Sequence, residues 1–201
     1  MPRIFDNIET PLLPALRDAL EVAERADFCI GYFNLRGWRQ IDGLIDRWSG
    51  EEGSCCRLLV GMHRPPEELV RAAVSPISPD EGIDTQTAIR LKRELAESFR
   101  RQLMLGVPTN ADEDGLRRLA AQIKARKVRV KLFLRHSLHA KLYLLFRPDV
   151  VNPSIGFLGS SNLTLPGLRY QGELNVDVMD HDACDTLAAW FEARWNDRFC
   201  I

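Results

Sequence analysis

Apolar positions follow a helical rhythm, then a strand rhythm, and then repeat both within the first third of the chain. Leu12, Leu16, Ala19, Leu20 and Ala23 recur at spacings of three and four, which predicts a helix over 11–26. The apolar run from Asp27 to Phe33 predicts a buried strand, and Asn34–Gly37 a turn. Trp38, Ile41, Leu44, Ile45 and Trp48 then line one face of a second helix, and Cys56–Gly61 follows a loop as a second short buried strand. This α-β-α-β order predicts a parallel sheet covered by helices.

The middle reads differently. His63–Asp84 is rich in proline and acid, and Pro65 and Pro66 can open a short helix running through Val74. Residues 85–105 predict a long polar helix with Ile89, Leu95, Phe99 and Leu103 as contact points, and Gly106–Asn110 breaks it. Asn110 or Asp112 caps the next helix, whose apolar face is Leu116, Leu119, Ala120 and Ile123. The stretch 62–126 therefore reads as a helical insertion between sheet strands: a lid, a DNA-contacting arm or a dimer surface. Strands return over 128–134, 138–146, 155–158 and 174–179, and a closing helix over 182–197 packs Leu187, Trp190, Phe191 and Trp195. The expected fold is α/β: one domain over 1–201, with a mixed, largely parallel sheet flanked by helices.

Composition narrows the class. Hydrophobic residues make up 45% and charged residues 27%, an ordinary globular balance. No apolar run approaches the roughly 18–20 residues a membrane helix needs. Met1–Asp6 lacks a signal-peptide core, so the cytoplasm is the default expectation. Five cysteines, an odd number without a CxxC pair, argue against a disulfide framework or zinc knuckle and for reduced, buried thiols. The net charge of −1 excludes a uniformly basic nucleic-acid binder. Even so, Leu116–Arg135 holds eight basic residues and no acidic one, among them Arg126, Lys127, Arg129, Lys131 and Arg135. Such a run can carry phosphate contacts; equally, it can be a solvated helix face leading into a lysine-protected edge strand.

Three strand segments carry the candidate chemistry. His139 and Lys141 are two apart and point the same way on a strand; so are Ser160 and Asn162, and so are Glu173 and Asn175. If these strands are neighbours, an imidazole, an ammonium, a hydroxyl, an amide and a carboxylate converge. That set suits a phosphodiester. A neutral imidazole can attack phosphorus, lysine and asparagine can stabilise charge on the non-bridging oxygens, and a carboxylate on the other ring nitrogen fixes the tautomer. Lysine, serine and asparagine build poor metal cages, so neither metal nor cofactor is expected. His136 and His139 would face opposite sides of a strand, which argues against a metal pair. Tyr143 shares the His139/Lys141 face, either beside the site or as core. Arg169 and Tyr170 lie in a loop that is either a nucleic-acid contact or plain surface.

The ordered set His139-Ala-Lys141-Leu-Tyr-Leu, Gly159-Ser160-Ser161-Asn162-Leu163-Thr164 and Gly172-Glu173-Leu174-Asn175-Val176 resembles the phospholipase D superfamily, in its single-motif, nuclease-like branch. That branch includes non-specific bacterial endonucleases, some metal-independent restriction enzymes and N-terminal domains of bacterial helicase-like proteins, whose first sheet strand Gly31–Trp38 also resembles. The resemblance implies a phospholipase D-like fold with His139 as nucleophile or general acid, Lys141 and Asn162 holding phosphate, Ser160 supporting it and Glu173 orienting the imidazole. It also implies a homodimer, because the superfamily site uses two HxK motifs and this chain has one. One position departs: Phe146 stands where the family usually has an aspartate.

The expected function is thus a metal-independent phosphodiesterase acting on DNA. The alternative is a non-catalytic DNA-binding module whose full-length protein carries helicase motor domains; the chain's end at Cys200-Ile201 fits an excised domain, and no segment here reads as a Walker loop. Lipid headgroup hydrolysis ranks third, for want of an amphipathic membrane-docking segment.

Overall fold

The computed structural model describes residues 2–61, 109–135 and 138–201, with isolated helical positions between 86 and 100. The expectations for 62–85 and for the break at 106–108, as well as His136, lie outside the described residues, and so does most of the expected helix over 85–105.

The elements run β1 (Ile4–Phe5), α1 (Leu12–Val22), β2 (Arg25–Ile30), α2 (Leu35–Trp38), α3 (Asp42–Ile45), β3 (Cys56–Val60), α4 (Asn110–Lys124), β4 (Val128–Leu132), β5 (Leu142–Phe146), β6 (Ser154–Gly159), α5 (Leu165–Arg169), β7 (Asn175–Val178) and α6 (His181–Trp195). The seven strands form one sheet in the order β1-β7-β6-β5-β2-β3-β4. The sheet is mixed, as expected, but only β2–β3 and β3–β4 pair in parallel; the other four neighbours are antiparallel. The loop joining β5 to β6 is too short for the crossover that parallel strands require, so these strands fold back on each other. The α4 helix makes the crossover from β3 to β4.

Alternation along the strands splits the core between the two faces of the sheet. Ala26, Phe28 and Ile30 of β2 join Tyr143, Leu145, Ile155 and Phe157 under α1–α5. Cys29, Leu59, Leu142 and Leu144 face α6, which covers them with Cys184, Phe191 and Trp195. All five cysteines are buried and free, and burial pushes the Cys29 thiol up to about 12.

Three local details differ from the sequence expectation. The single helix expected from Trp38 to Trp48 is broken into α2 and α3, because Ile41 leaves helical geometry at φ −130° and ψ −13°. Trp38, Ile41, Ile45 and Trp48 are nevertheless buried as expected. The α4 helix is capped by Thr109, which forms a reciprocal capping box with Asp112. It also turns a different face inward: Gly115, Leu119 and Gln122 are buried, while Leu116 and Ile123 are exposed. Hydrogen bonding overrides apolarity there, because the Trp38 Nε1–H donates to Gln122 at 3.0 Å and Gln122 donates to the Asp42 carbonyl at 2.8 Å.

Two buried polar networks fix the frame. Under α6, the Arg57 guanidinium holds the fully buried Asp27 through two bonds of 2.6 and 2.7 Å, while Arg25 donates to Asp27 at 2.7 Å and Arg57 reaches Glu192 at 2.8 Å. On the opposite face, Ser161 has no solvent exposure. Its hydroxyl lies between the amide nitrogens of Asn7, at 3.2 Å, and Asn175, at 2.8 Å. Its N–H donates to Asn175 Oδ1 at 3.1 Å, and its carbonyl accepts from the Tyr143 hydroxyl at 2.9 Å. Asn7 also donates to the Gly167 carbonyl and accepts from Leu12 N–H, a bridging geometry it reaches with a left-handed φ of 62°.

Arg57→Leu leaves the Asp27 charge buried against Arg25 alone and is expected to cost about 3 kcal/mol of stability. Ser161→Ala removes one of the hydrogen bonds made by each of the Asn7 and Asn175 amide groups and should cost about 1–3 kcal/mol. Urea unfolding of each variant beside wild type checks both values.

Candidate active site

Register brings four chain segments to one end of the sheet's middle. Cys29 pairs with Leu142, Leu142 with Leu158, and Gly159 with Asn175. The residues just beyond these pairs are Gly31–Asn34 after β2, His139–Lys141 before β5, Ser160–Asn162 after β6 and Gln171–Glu173 before β7. His139, Lys141, Ser160, Asn162 and Glu173 line one cavity of about 360 Å³ together with Gln171 and Gly159. The sequence expectation placed His139 and Lys141 on a strand; both instead precede β5, in the segment that leads into it.

Lys141 is buried at 3% exposure, and its ammonium lies 2.8 Å from His139 Nδ1 and 2.8 Å from the His139 carbonyl, to which it donates. Burial holds its pKa below the usual lysine value, and the negative charge of Glu173 opposes that drop. Asn162 Oδ1 accepts from the main-chain N–H groups of Gly31 at 3.1 Å and Tyr32 at 2.9 Å. Two donors on that oxygen fix the orientation of the amide and leave Nδ2 as its donor toward the cavity. Gly31 lies against these groups: a Cβ there would be 3.3 Å from Asn162 Oδ1, 3.5 Å from the His139 ring and 3.7 Å from Lys141 Nζ. A side chain at this position would therefore crowd Asn162 Oδ1 and stand in van der Waals contact with the other two groups. Ser160 donates to a Glu173 carboxylate oxygen and accepts from Leu174 N–H at 3.0 Å.

Asn175 does not join this set. It is buried and serves Ser161 instead, which pins the loop carrying Ser160 and Asn162 from behind. Tyr143 is core: it is fully buried, packs edge-on to Phe28 at 5.0 Å, and has its phenol pushed well above the usual value by burial. Phe146 lies at the far end of β5, paired with Arg25 and Ser154, and the Arg25 guanidinium stacks 4.1 Å from its ring centre. The departure from the family pattern thus falls about five residues, or roughly 16 Å of strand, from Lys141, and removes no group from the cavity.

The basic run is not brought to the site. Val128 pairs with Cys56, and Cys56 with Ala26, so Arg126 and Lys127 stand at the opposite end of the sheet from Gly31. Lys127 donates to the Asp46 carbonyl, Arg129 to Gly50 at 3.1 Å and Lys131 to Trp195 at 2.7 Å, and Arg135 pairs with Asp197 at 3.0 Å. Their consecutive placement follows the edge strand β4, two strands beyond β2, rather than the cavity. Arg169 ends α5, two residues before Gln171, with its guanidinium over the exposed Tyr170 ring. The sequence reading gave no role to Gln171 or to the Gly31 and Tyr32 amides. The only available signal for the amides was the glycine placed directly after a buried strand.

A second cavity of about 270 Å³ adjoins the first and shares Asn162, Gln171 and Glu173 with it; its other walls are Tyr32, Phe33, Asn34 and Thr164. Among the described residues no group of three or more His, Cys, Asp or Glu is placed to hold a metal ion, and no helix is long and apolar enough to cross a membrane.

Comparison with known proteins bears on the family and the fold. The family described as "Cardiolipin synthase, PLD-like domain" matches residues 16–195. Among curated proteins no sequence matches. Among solved structures, NucT from Helicobacter pylori superposes with a TM-score of 0.54 at 13% identity, over 100% of this chain and 98% of that one. Nuc from Salmonella typhimurium, a phospholipase D family member, gives 0.53 at 10% identity over 98% and 94%. The phosphatidylserine synthase of Haemophilus influenzae Rd KW20 gives 0.52 at 16% identity, over 100% of this chain but 39% of that one. At these identities the structural likeness speaks for the fold, and the family match spans nearly the whole sequence: the chain belongs to the phospholipase D-like domains.

Proposed function

We propose that this domain is a metal-independent phosphodiesterase acting on DNA through a phosphohistidine intermediate, with its site completed by a second copy of the chain. The observation that carries this reading is the meeting of His139, Lys141, Ser160, Asn162 and Glu173 around one cavity, with the Asn162 amide locked so that it donates inward. Lys141 and Asn162 would hold the non-bridging oxygens and stabilise the charge that grows on them.

The chemistry divides between two imidazoles. The His139 Nε2 lone pair forms a bond to phosphorus while the bond from phosphorus to the leaving oxygen breaks. That oxygen takes a proton from His139 of the second copy. Water then attacks phosphorus, gives its proton back to the second imidazole, and releases the first. The free site rests in neither of these two forms. An ammonium has donors alone, so Lys141 against Nδ1 makes that nitrogen an acceptor and puts the proton of the neutral ring on Nε2. In this form Nε2 carries a proton and cannot attack, and to serve as the acid the ring must take a second proton on Nδ1, which Lys141 must first vacate. For attack, Lys141 must turn to the phosphate and Nδ1–H must find an acceptor; Glu173, lining the same cavity, is the available carboxylate. Arg169 and Arg135, toward the site end, would contact flanking DNA; a role for Arg129 and Lys131 requires DNA that passes along the edge strand β4, and one for Arg126 and Lys127 requires DNA that wraps to the far end of the sheet.

Plasmid and single-stranded DNA incubated with the protein in excess EDTA test the activity. Wild type should cleave, and His139→Ala should lose on the order of 10²–10⁴-fold. A concentration-dependent specific activity, together with the mass from light scattering, tests the shared site. Binding without cleavage would favour instead a recognition module, such as the DNA-contacting domain of a helicase or restriction-type protein. Nitrogen-15 NMR should find the free His139 ring protonated on Nε2, with the proton moving toward Nδ1 when inorganic phosphate is added; a free ring already protonated on Nδ1 would overturn the resting arrangement in which Lys141 donates to Nδ1.

A further inference from the structure

The second cavity has walls of a particular chemistry. Tyr32 and Phe33 supply aromatic surface, Asn34, Asn162, Thr164 and Gln171 supply polar groups, and Glu173 is its single charge. Among the described residues no lysine or arginine lines it, and neither does any leucine, isoleucine, valine or methionine. A second phosphate would meet a carboxylate with no compensating cation, and an acyl chain would find no aliphatic wall. A neutral, planar group with polar edges meets neither obstacle. At about 270 Å³ the cavity holds the volume of on the order of nine waters at about 30 Å³ each, which is room enough for a base.

The polar walls are held in fixed orientations. Asn34 Oδ1 caps α2 by accepting from Gly37 N–H at 2.8 Å, so its amide nitrogen is the group left for a ligand. Thr164 Oγ1 accepts from Gly167 N–H at 3.1 Å, which leaves its hydroxyl proton to donate elsewhere. Phe33 and Asn34 are themselves pinned to the loop after β6, through the Phe33–Leu163 bridge and a bond of 3.1 Å from Asn34 N–H to the Leu163 carbonyl. Tyr32 is half-buried, and burial pushes its phenol above the usual value, so it presents a neutral ring. Because Asn162 belongs to both cavities, a ligand whose phosphate sits between Lys141 and Asn162 has its adjoining nucleoside directed here.

Resting on the phosphodiesterase reading, we infer that this cleft is a base-binding subsite: it takes the unpaired base of the nucleotide attached to the scissile phosphate, with Tyr32 as stacking surface and Asn34, Thr164 and Gln171 along its polar edge. A base inside a duplex has both faces occupied by its neighbours, so the subsite selects single-stranded nucleic acid or an unpaired end. Stacking is open to every base, so the selection is for an exposed face rather than for sequence.

Calorimetry with thymidine 5′-monophosphate and with deoxyribose 5-phosphate, which has the same phosphate and sugar but no base, separates the two layers of the argument. Wild type should bind the nucleotide about 10- to 100-fold more tightly, the range expected for one stacked base. That ratio should collapse to below about 3-fold in Tyr32→Ala and persist in Tyr32→Phe, which keeps the ring. Equal wild-type affinity for the two ligands overturns the subsite while leaving the phosphate site standing, and this arm needs no variant to fold. A ratio that survives in a folded Tyr32→Ala also overturns the role given to the ring. Failure of both ligands to bind, with Lys141→Ala indistinguishable from wild type, overturns the phosphate reading and this inference with it.

Discussion

A serine hydroxyl with no access to water is the point on which the site's geometry turns. Ser161 lies between Ser160 and Asn162, the two residues of its loop that face the cavity, and it faces the other way, into Asn7 and Asn175. An unsatisfied buried hydroxyl is costly, so the loop can adopt only the path on which these bonds are all made. Each bond comes from a different part of the chain: the segment after β1, the start of β7 and, through Tyr143, the middle of β5. The loop is therefore located by sheet order rather than by its own sequence. Asn162 inherits that position, and the Gly31 and Tyr32 amides complete it from β2.

The site also falls where the sheet changes character. The β2 strand is parallel to β3 on one side and antiparallel to β5 on the other. Its C-terminal end therefore meets the N-terminal end of β5, and the residues entering one strand lie against those leaving the other. This lets His139 and Lys141 stand beside Gly31 although they are more than a hundred positions apart in sequence. The same junction carries the Asp27–Arg57 pair two to three residues inside the core, so the strand that leads to the cavity is anchored by charge on one face and by aromatic packing on the other.

Much of this was legible from the residues. Strand positions followed from apolar runs, and the five cavity groups from the order of three short motifs. Three things were not legible, each for a physical reason. The basic run reads as a substrate surface or a solvated edge because its residues are consecutive; it follows the edge strand β4 from the far end of the sheet toward the site's end, but two strands to the side of β2, and that lateral offset comes from sheet order, which consecutive residues do not reveal. The inward face of α4 was misplaced because periodicity counts apolar side chains, whereas Gln122 is drawn inward by hydrogen bonds to Trp38 and Asp42. The two-residue strand β1 is too short to show a period, and Gln171 and the Gly31 and Tyr32 amides carry no sequence signature beyond a glycine.

That short first strand has a consequence for how the protein meets other molecules. β1 lies along β7 and is held there by Arg3, which ties both its main-chain N–H and its guanidinium to the buried Asp177 at 2.6 Å. It covers the flank of the sheet nearest the cavity with only two residues of its own. At the other flank, β4 carries alternating arginine and lysine, and its end is held by main-chain bonds to Phe199 and Ile201. Among the described residues neither border therefore offers a long bare row of amides and carbonyls on which a neighbouring strand could grow. The sheet is closed to lengthwise addition, and association with another copy is left to its faces and strand ends, the cavity's rim among them.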